Sequence, residues 1–247
     1  SYTAPLSELE GTITGALARK REIHFLPPYR SETKMTLGSL LKENPCGMKT
    51  RSSPGLIKAV VSMRSVKDKS ETDEIENAVD IAYEMHTTAM KMCKEGVKEQ
   101  EIFGTIEGIA LSKGAGTSFP VILSVNGQTL HNHLHNNVLK KGKMMVTDAG
   151  AETALHYASD ITRTTPVGGK FSTMQKEIYE IVLKANVEAI QATRPSVSNR
   201  DIHFLACKIM TSGLKDLKLM KGGVEEGVER GAHGLFIPHV IGHMIGM

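Results

Sequence analysis

Lys143-Met-Met-Val-Thr-Asp148-Ala-Gly-Ala-Glu152 and, after a short gap, Tyr157-Ala-Ser-Asp160-Ile-Thr-Arg-Thr164 are two runs of strand-forming residues, each carrying an aspartate. Apolar and β-branched residues at 143–149 and 157–165 predict two strands. If they pair as a hairpin, Asp148 and Asp160 face one point. Carboxylates brought together repel, so each has a raised pKa unless a cation neutralises them. A carboxylate at the end of a buried strand is also costly to desolvate without a cationic partner. Spacing alone favours two turn aspartates at strand ends.

On either side of this pair the chain alternates in type. Ile102, Ile106 and Ile109 predict a helix over 99–111, and Phe-Pro-Val-Ile-Leu-Ser-Val-Asn predicts a strand over 119–126. Ser172 and Gln175 form a capping box, followed by an apolar face of Ile178, Val182, Ala185 and Ala189 up to Pro195. A further helix runs from about Ser198 to Gly213, with Ile202, Leu205, Ala206 and Ile209 inward. Upstream, Ser70 and Asp73 sit at capping-box spacing before Ile75, Val79, Ala82, His86, Ala89 and Cys93, and Gly96 stops the run. Composition shifts near residues 27–70, where turn formers run from Pro27-Pro28 to Ser52-Ser53-Pro54-Gly55. Residues 1–66 therefore read as the tail of one unit and a linker, with a second body beginning near Lys67. Grouped helices and hairpin-spaced strands predict an α+β class rather than a doubly wound sheet.

Five of the ten histidines fall in two clusters. His131, His133 and His135 alternate with Asn132, Leu134 and Asn136, which in an extended chain puts all three rings on one face. A solvated polar edge gives the same pattern. His239 and His243 are four apart, a spacing that converges in helix and strand alike. Position 240 is Val where the zincin motif requires Glu. Two carboxylates with imidazole make a mixed oxygen and nitrogen set suited to Mn, Fe, Co or Zn rather than Ca. No GxSxG elbow is present, and the Gly168-Gly169-Lys170 and Gly222-Gly223 pairs lack phosphate-loop spacing. Glu225, Glu226 and Glu229 lie in a glycine-rich setting that reads as a solvated loop.

Composition removes several classes. Thirty basic against 27 acidic residues leave a charge of +3, too balanced for a nucleic-acid binder that works by charge. No apolar stretch reaches the ~18 residues of a membrane helix. Three widely spaced cysteines make neither a disulfide framework nor a zinc knuckle, so a reducing compartment is expected.

The order of these motifs resembles the pita-bread metallopeptidases, in particular the Xaa-Pro aminopeptidase and prolidase branch. The matching segments are Asn126-Gly-Gln-Thr-Leu-His131-Asn, Asp148 to Glu152, Tyr157 to Thr164, and Pro238-His239-Val-Ile-Gly-His243. The resemblance implies a creatinase/aminopeptidase-like catalytic domain over 67–247, lacking its C-terminal strands. Residues 1–66, including Leu26-Pro-Pro-Tyr-Arg30, would be the end of a smaller N-terminal domain. By that resemblance Asp148, Asp160 and His243 are ligands to two divalent ions, manganese first, with cobalt, zinc or iron as alternatives. Asp160 would bridge the ions, while His131 and His239 face the substrate, His131 at the developing oxyanion and His239 near the proline pocket. The implied activity is hydrolysis of the bond between an N-terminal residue and a following proline, by a cytoplasmic homodimer acting on peptides.

Two departures stand out against the family pattern. Asp148 and Asp160 are separated by one residue more than usual, which assigns an insertion to the loop at about Thr153–His156, and Val240-Ile241 replaces the common Gly-Leu. The family's two remaining ligands, glutamates, are expected beyond Met247. On that basis the 247-residue polypeptide alone would hold metal poorly, and its unpaired strand edges would favour aggregation. Other readings of the same motifs are a non-catalytic pita-bread binding module, a creatinase-like amidinohydrolase and a methionine aminopeptidase.

Overall fold

The computed structural model describes residues 3–246. The chain divides into two compact units between Asp68 and Lys69. The first unit is helical, with α1 (Leu9–Ala18), α2 (Ser31–Leu41) and α3 (Pro54–Ser65). The stretch expected to be mostly turns thus holds two helices. The Ser53-Pro54 signal is a helix start: the Ser53 hydroxyl accepts from the Leu56 N–H at 3.2 Å, and Pro54 fills the first turn, where no donor is needed.

The second unit opens with α4 (Lys69–Met92) and α5 (Glu99–Lys113). Because α4 starts at Lys69, Ser70 lies inside the first turn rather than at the cap. Its buried face is Ala78, Ala82, Met85, His86 and Ala89, turned slightly from the Ile75–Val79 stripe, which stays half-exposed. Two small antiparallel sheets follow. One pairs β1 (Gly116–Thr117) with β4 (Ala151–Glu152); the other has the order β2 (Ile122–Ser124), β3 (Met144–Ala149), β5 (Ile161–Pro166). The strand expected over 119–126 is only three residues long. The one expected over 157–165 begins at Ile161, because 157–160 leave β3 to pair with β4 through Glu152 and Ala158.

Strand β3 alternates. Met145, Thr147 and Ala149 are buried, while Met144, Val146 and Asp148 point to the other face. The buried side packs on α4 and α5 through Met85, Ala89, Ile102, Ile106, Leu123 and Leu139. At ~1.5–3 kcal/mol for each fully buried apolar side chain, this cluster dominates the unit's stability. Helices α6 (Thr173–Ala192) and α7 (Asn199–Asp216) bury Ala185, Ala189, Ile202 and Ala206 in a second cluster. The capping box forms as expected: Gln175 N–H donates to the Ser172 hydroxyl and Ser172 N–H to Gln175 Oε1. A short α8 (Val224–Glu229) replaces the expected loop and leaves Glu225, Glu226 and Glu229 exposed. A 3-10 turn, Ala232–Leu235, then leads into 236–246, which has no regular structure. The class is α+β, as expected. Among the described residues, no helix is long and apolar enough to cross a membrane.

Candidate metal centre

The sheet register sets Asp148 between Ile122 on β2 and Thr162 on β5. Thr162 Oγ1 donates to Asp148 Oδ1 at 2.7 Å. Burial raises the Asp148 pKa above its ordinary 3.8; the Thr162 hydroxyl opposes the shift and the nearby Asp160 carboxylate adds to it. Asp160 is aimed by its neighbour. Ser159 is fully buried, its hydroxyl donating to Ala78 O at 2.8 Å and accepting from Ala151 N–H at 2.9 Å. The two aspartates therefore meet, although through a strand that detours by β4 rather than through a simple hairpin.

His243 completes the group. Its Nε2 lies 3.0 Å from Asp160 Oδ2, and its Nδ1–H donates to Met244 O at 3.0 Å. That backbone bond is the main reason its pKa is raised, with the Asp160 charge contributing. With Nδ1 committed as a donor, neutral His243 turns the Nε2 lone pair toward a carboxylate oxygen. Three acceptors then converge, and only a proton or a cation can relieve them. Two hard carboxylates and one imidazole suit a divalent ion such as Mn, Fe, Co or Zn, so the donor set fits the group the motifs imply.

The acceptors open on a cleft of about 620 Å³ lined also by Phe119, His131 and His133. The three clustered histidines do not share a strand face. Residues 126–137 form an irregular loop in which His131 has a left-handed φ of +56°. His131 and His133 reach the cleft. His135 is buried instead, stacked on Phe103 at 4.3 Å between ring centroids and donating from Nδ1 to Leu123 O at 3.0 Å. His239 does not join His243 at the aspartates, because 238–246 is neither helix nor strand. Both line a second cleft of about 710 Å³ beside α6 and α7, and only His243 also lines the first.

Three contributors were missed. His86 read as part of an apolar helix stripe; it is buried and donates from Nε2 to Ala149 O at 3.1 Å, next to Asp148, and burial lowers its pKa. Thr162 becomes visible only once the strand register is known. Glu99 carried no signal beyond its place at a helix start. It is fully buried, and its carboxylate accepts from Val125 N–H at 2.7 Å, Asn137 N–H at 3.3 Å and Asn137 Nδ2 at 2.9 Å. Those bonds close the loop that carries His131. Glu99→Ala strands several donors in the interior, at ~1–3 kcal/mol for each buried group left unsatisfied. The expected loss is about 3 kcal/mol in urea unfolding, with faster amide exchange at Val125 and Asn137.

Asp148→Asn tests the electrostatics. A carboxylate whose folded pKa is raised contributes most to stability below its unfolded pKa, and that contribution is lost as pH rises through the folded pKa. Ionised Asp148 therefore costs stability at neutral pH. In metal-free protein Asp148→Asn is expected to melt ~2–4 °C higher at pH 7, a small gain because half-exposure screens the charge. The difference should vanish by about pH 4, close to the ordinary carboxylate value. Equal melting temperatures at pH 7 would show that the buried charge carries no cost.

The profile of metallopeptidase family M24 matches residues 73–247. A probable Xaa-Pro aminopeptidase of Chaetomium globosum is 32% identical over 233 residues, covering 93% of this chain and 38% of that protein. One from Aspergillus niger is 36% identical over 198 residues, covering 76% and 42%. Among solved structures, proline aminopeptidase P II from Yersinia pestis superposes with a TM-score of 0.82 at 28% identity, covering 100% of this chain and 58% of that one. Zinc-substituted Escherichia coli aminopeptidase P in complex with product gives 0.80 at 29% identity, covering 100% and 57%. The chain thus spans about two-fifths of these two curated relatives and somewhat over half of the solved chains.

Proposed function

The chain belongs to metallopeptidase family M24 and takes its pita-bread fold, and from that premise we propose that it is the ligand-bearing part of an aminopeptidase that cleaves before a proline in second position. The observation that carries the reading is the convergence of Asp148, Asp160 and His243 Nε2 on one cleft. Two divalent ions, manganese first, would supply a nucleophilic water of lowered pKa and polarise the scissile carbonyl. Asp160 lies next to both Asp148 and His243 and would be the ligand that the two ions share. Thr162 holds the Asp148 carboxylate in orientation through its hydroxyl. His131, at the cleft wall, is the donor for the developing oxyanion. His239 lines the apolar cleft beside α6 and α7, and by the family resemblance it would face the proline side of the substrate.

Two carboxylates bring −2 against the +4 of two ions. The 247-residue polypeptide expressed by itself is therefore expected to bind the pair weakly and turn over little. Free Cys46, Cys93 and Cys207 suit a reducing compartment such as the cytoplasm. The family resemblance implies a homodimer, which sedimentation would read directly.

The test is metal analysis with a peptide panel on the protein extended past Met247. Chelation should abolish hydrolysis of Xaa-Pro peptides and manganese should restore it, with two ions per chain. Longer Xaa-Pro peptides should be cleaved as well as dipeptides. Cleavage of Met-Ala with no action on Xaa-Pro would overturn the specificity, and no metal with no hydrolysis would leave a peptide-binding domain.

A further inference from the structure

A second group of metal-ligating side chains lies away from the aspartates. His203 and Cys207 are one turn apart on α7, and His233 sits in the 3-10 turn Ala232–Leu235. Their ligand atoms all lie within 4.8 Å of one another. We propose that His203, Cys207 and His233 bind one zinc ion in a site that shares no residue with the Asp148–Asp160–His243 group.

The geometry is that of a small site. A spacing of four on a helix stacks the His203 ring and the Cys207 thiol on one face, with Cys207 Sγ 3.5 Å from His203 Nε2. The His233 ring meets the His203 ring edge-on, 6.2 Å between centroids. His233 Nδ1 is buried and has no hydrogen-bond partner, a cost that a ligand bond would remove. The Cys207 sulfur is fully buried, and burial raises the thiol pKa, so without an ion it stays protonated. Zinc binding displaces that proton to solvent, takes one lone pair from each imidazole and leaves the fourth tetrahedral position to water.

Donor chemistry separates the two sites. A thiolate with two imidazoles selects zinc over manganese or magnesium, whereas two carboxylates with one imidazole accept manganese readily. The site also has a consequence for the first one. The turn that holds His233 continues directly into 236–246, and its carbonyl accepts from Phe236 and Ile237 N–H at 2.9 Å each. Zinc joining His233 to α7 would fix the start of the segment that brings His243 to Asp160.

Cobalt(II) reads the site without reference to catalysis, because a thiolate ligand gives a near-ultraviolet charge-transfer band that carboxylates and imidazoles do not. On the intact protein, stripped of metal, one equivalent of cobalt should saturate this band and zinc should displace it. Cys207→Ser should abolish it, whereas Cys46→Ser and Asp160→Asn should leave it. His233→Gln should weaken cobalt binding about a hundredfold or more, above the ~10–100-fold of an outer-sphere change. Absence of the band, its survival in Cys207→Ser, or unchanged affinity in His233→Gln would each overturn the proposal. The His233 variant keeps the test decisive should Cys207→Ser fail to fold.

Discussion

Gly150→Ala is expected to lower the melting temperature by ~10 °C or more and to abolish metal binding with it. A Cβ at position 150 would sit 1.8 Å from Ser159 O and 2.5 Å from both Ser159 C and Ser118 Oγ. Two of these three atoms are backbone, so no rotamer relieves the overlap. Either the 149–151 segment or the 158–160 segment must move, and β4 and its bonds to Ser159 move with them. Ordinary overpacking costs ~1–3 kcal/mol through adjustable side chains, and a backbone collision exceeds that range. At ~2–4 °C per kcal/mol for a chain of this size, a cost of about 3–4 kcal/mol gives the expected shift. Gly104→Ala is the control: nothing lies within 4 Å of its added methyl, and alanine is favoured inside a helix by about 1 kcal/mol. An unchanged melting temperature for Gly150→Ala would mean that these two segments do not pack backbone to backbone.

That glycine also marks where the sequence was readable and where it was not. The alternating run of β3, the Ser172 capping box and the apolar faces of α5 and α6 are local periodic signals, and each element formed where its signal lay. The aspartate pair was legible for the same reason, since both residues sit in strand-like runs a short loop apart. The histidine cluster was not. Its alternation looks like a strand, but Glu99, 38 residues before Asn137 in sequence, holds the chain in a loop by accepting its N–H groups. Such a buried carboxylate acts at long range and leaves no periodicity. His86 was hidden because an imidazole replacing an apolar residue in a helix stripe does not disturb the stripe. Likewise His239 and His243 share a spacing that implies one face only within a regular element, and 238–246 is not one.

Asp160→Asn separates chemistry from folding. Asp160 touches His243 and lies beside Asp148, so its charge enters every part of the proposed centre. Replacing it removes half of the −2 that offsets the ions, and in the extended protein hydrolysis should fall roughly a thousandfold or more, the several kcal/mol that metal catalysis contributes. The fold should barely respond. Asparagine can offer its amide N–H to the His243 Nε2 lone pair, and loss of the neighbouring charge relieves Asp148, whose pKa should fall. The melting temperature of metal-free protein is therefore expected to stay within ~2 °C of the parent, an effect below 1 kcal/mol. His243→Ala should lose metal in the same way, since it removes the only imidazole that reaches Asp160 among the described residues. His239→Ala should not: its ring lines the other cleft, so metal affinity should hold and KM for Xaa-Pro substrates should rise. Loss of metal in His239→Ala at a level matching His243→Ala would place both rings in one coordination sphere and refute this assignment.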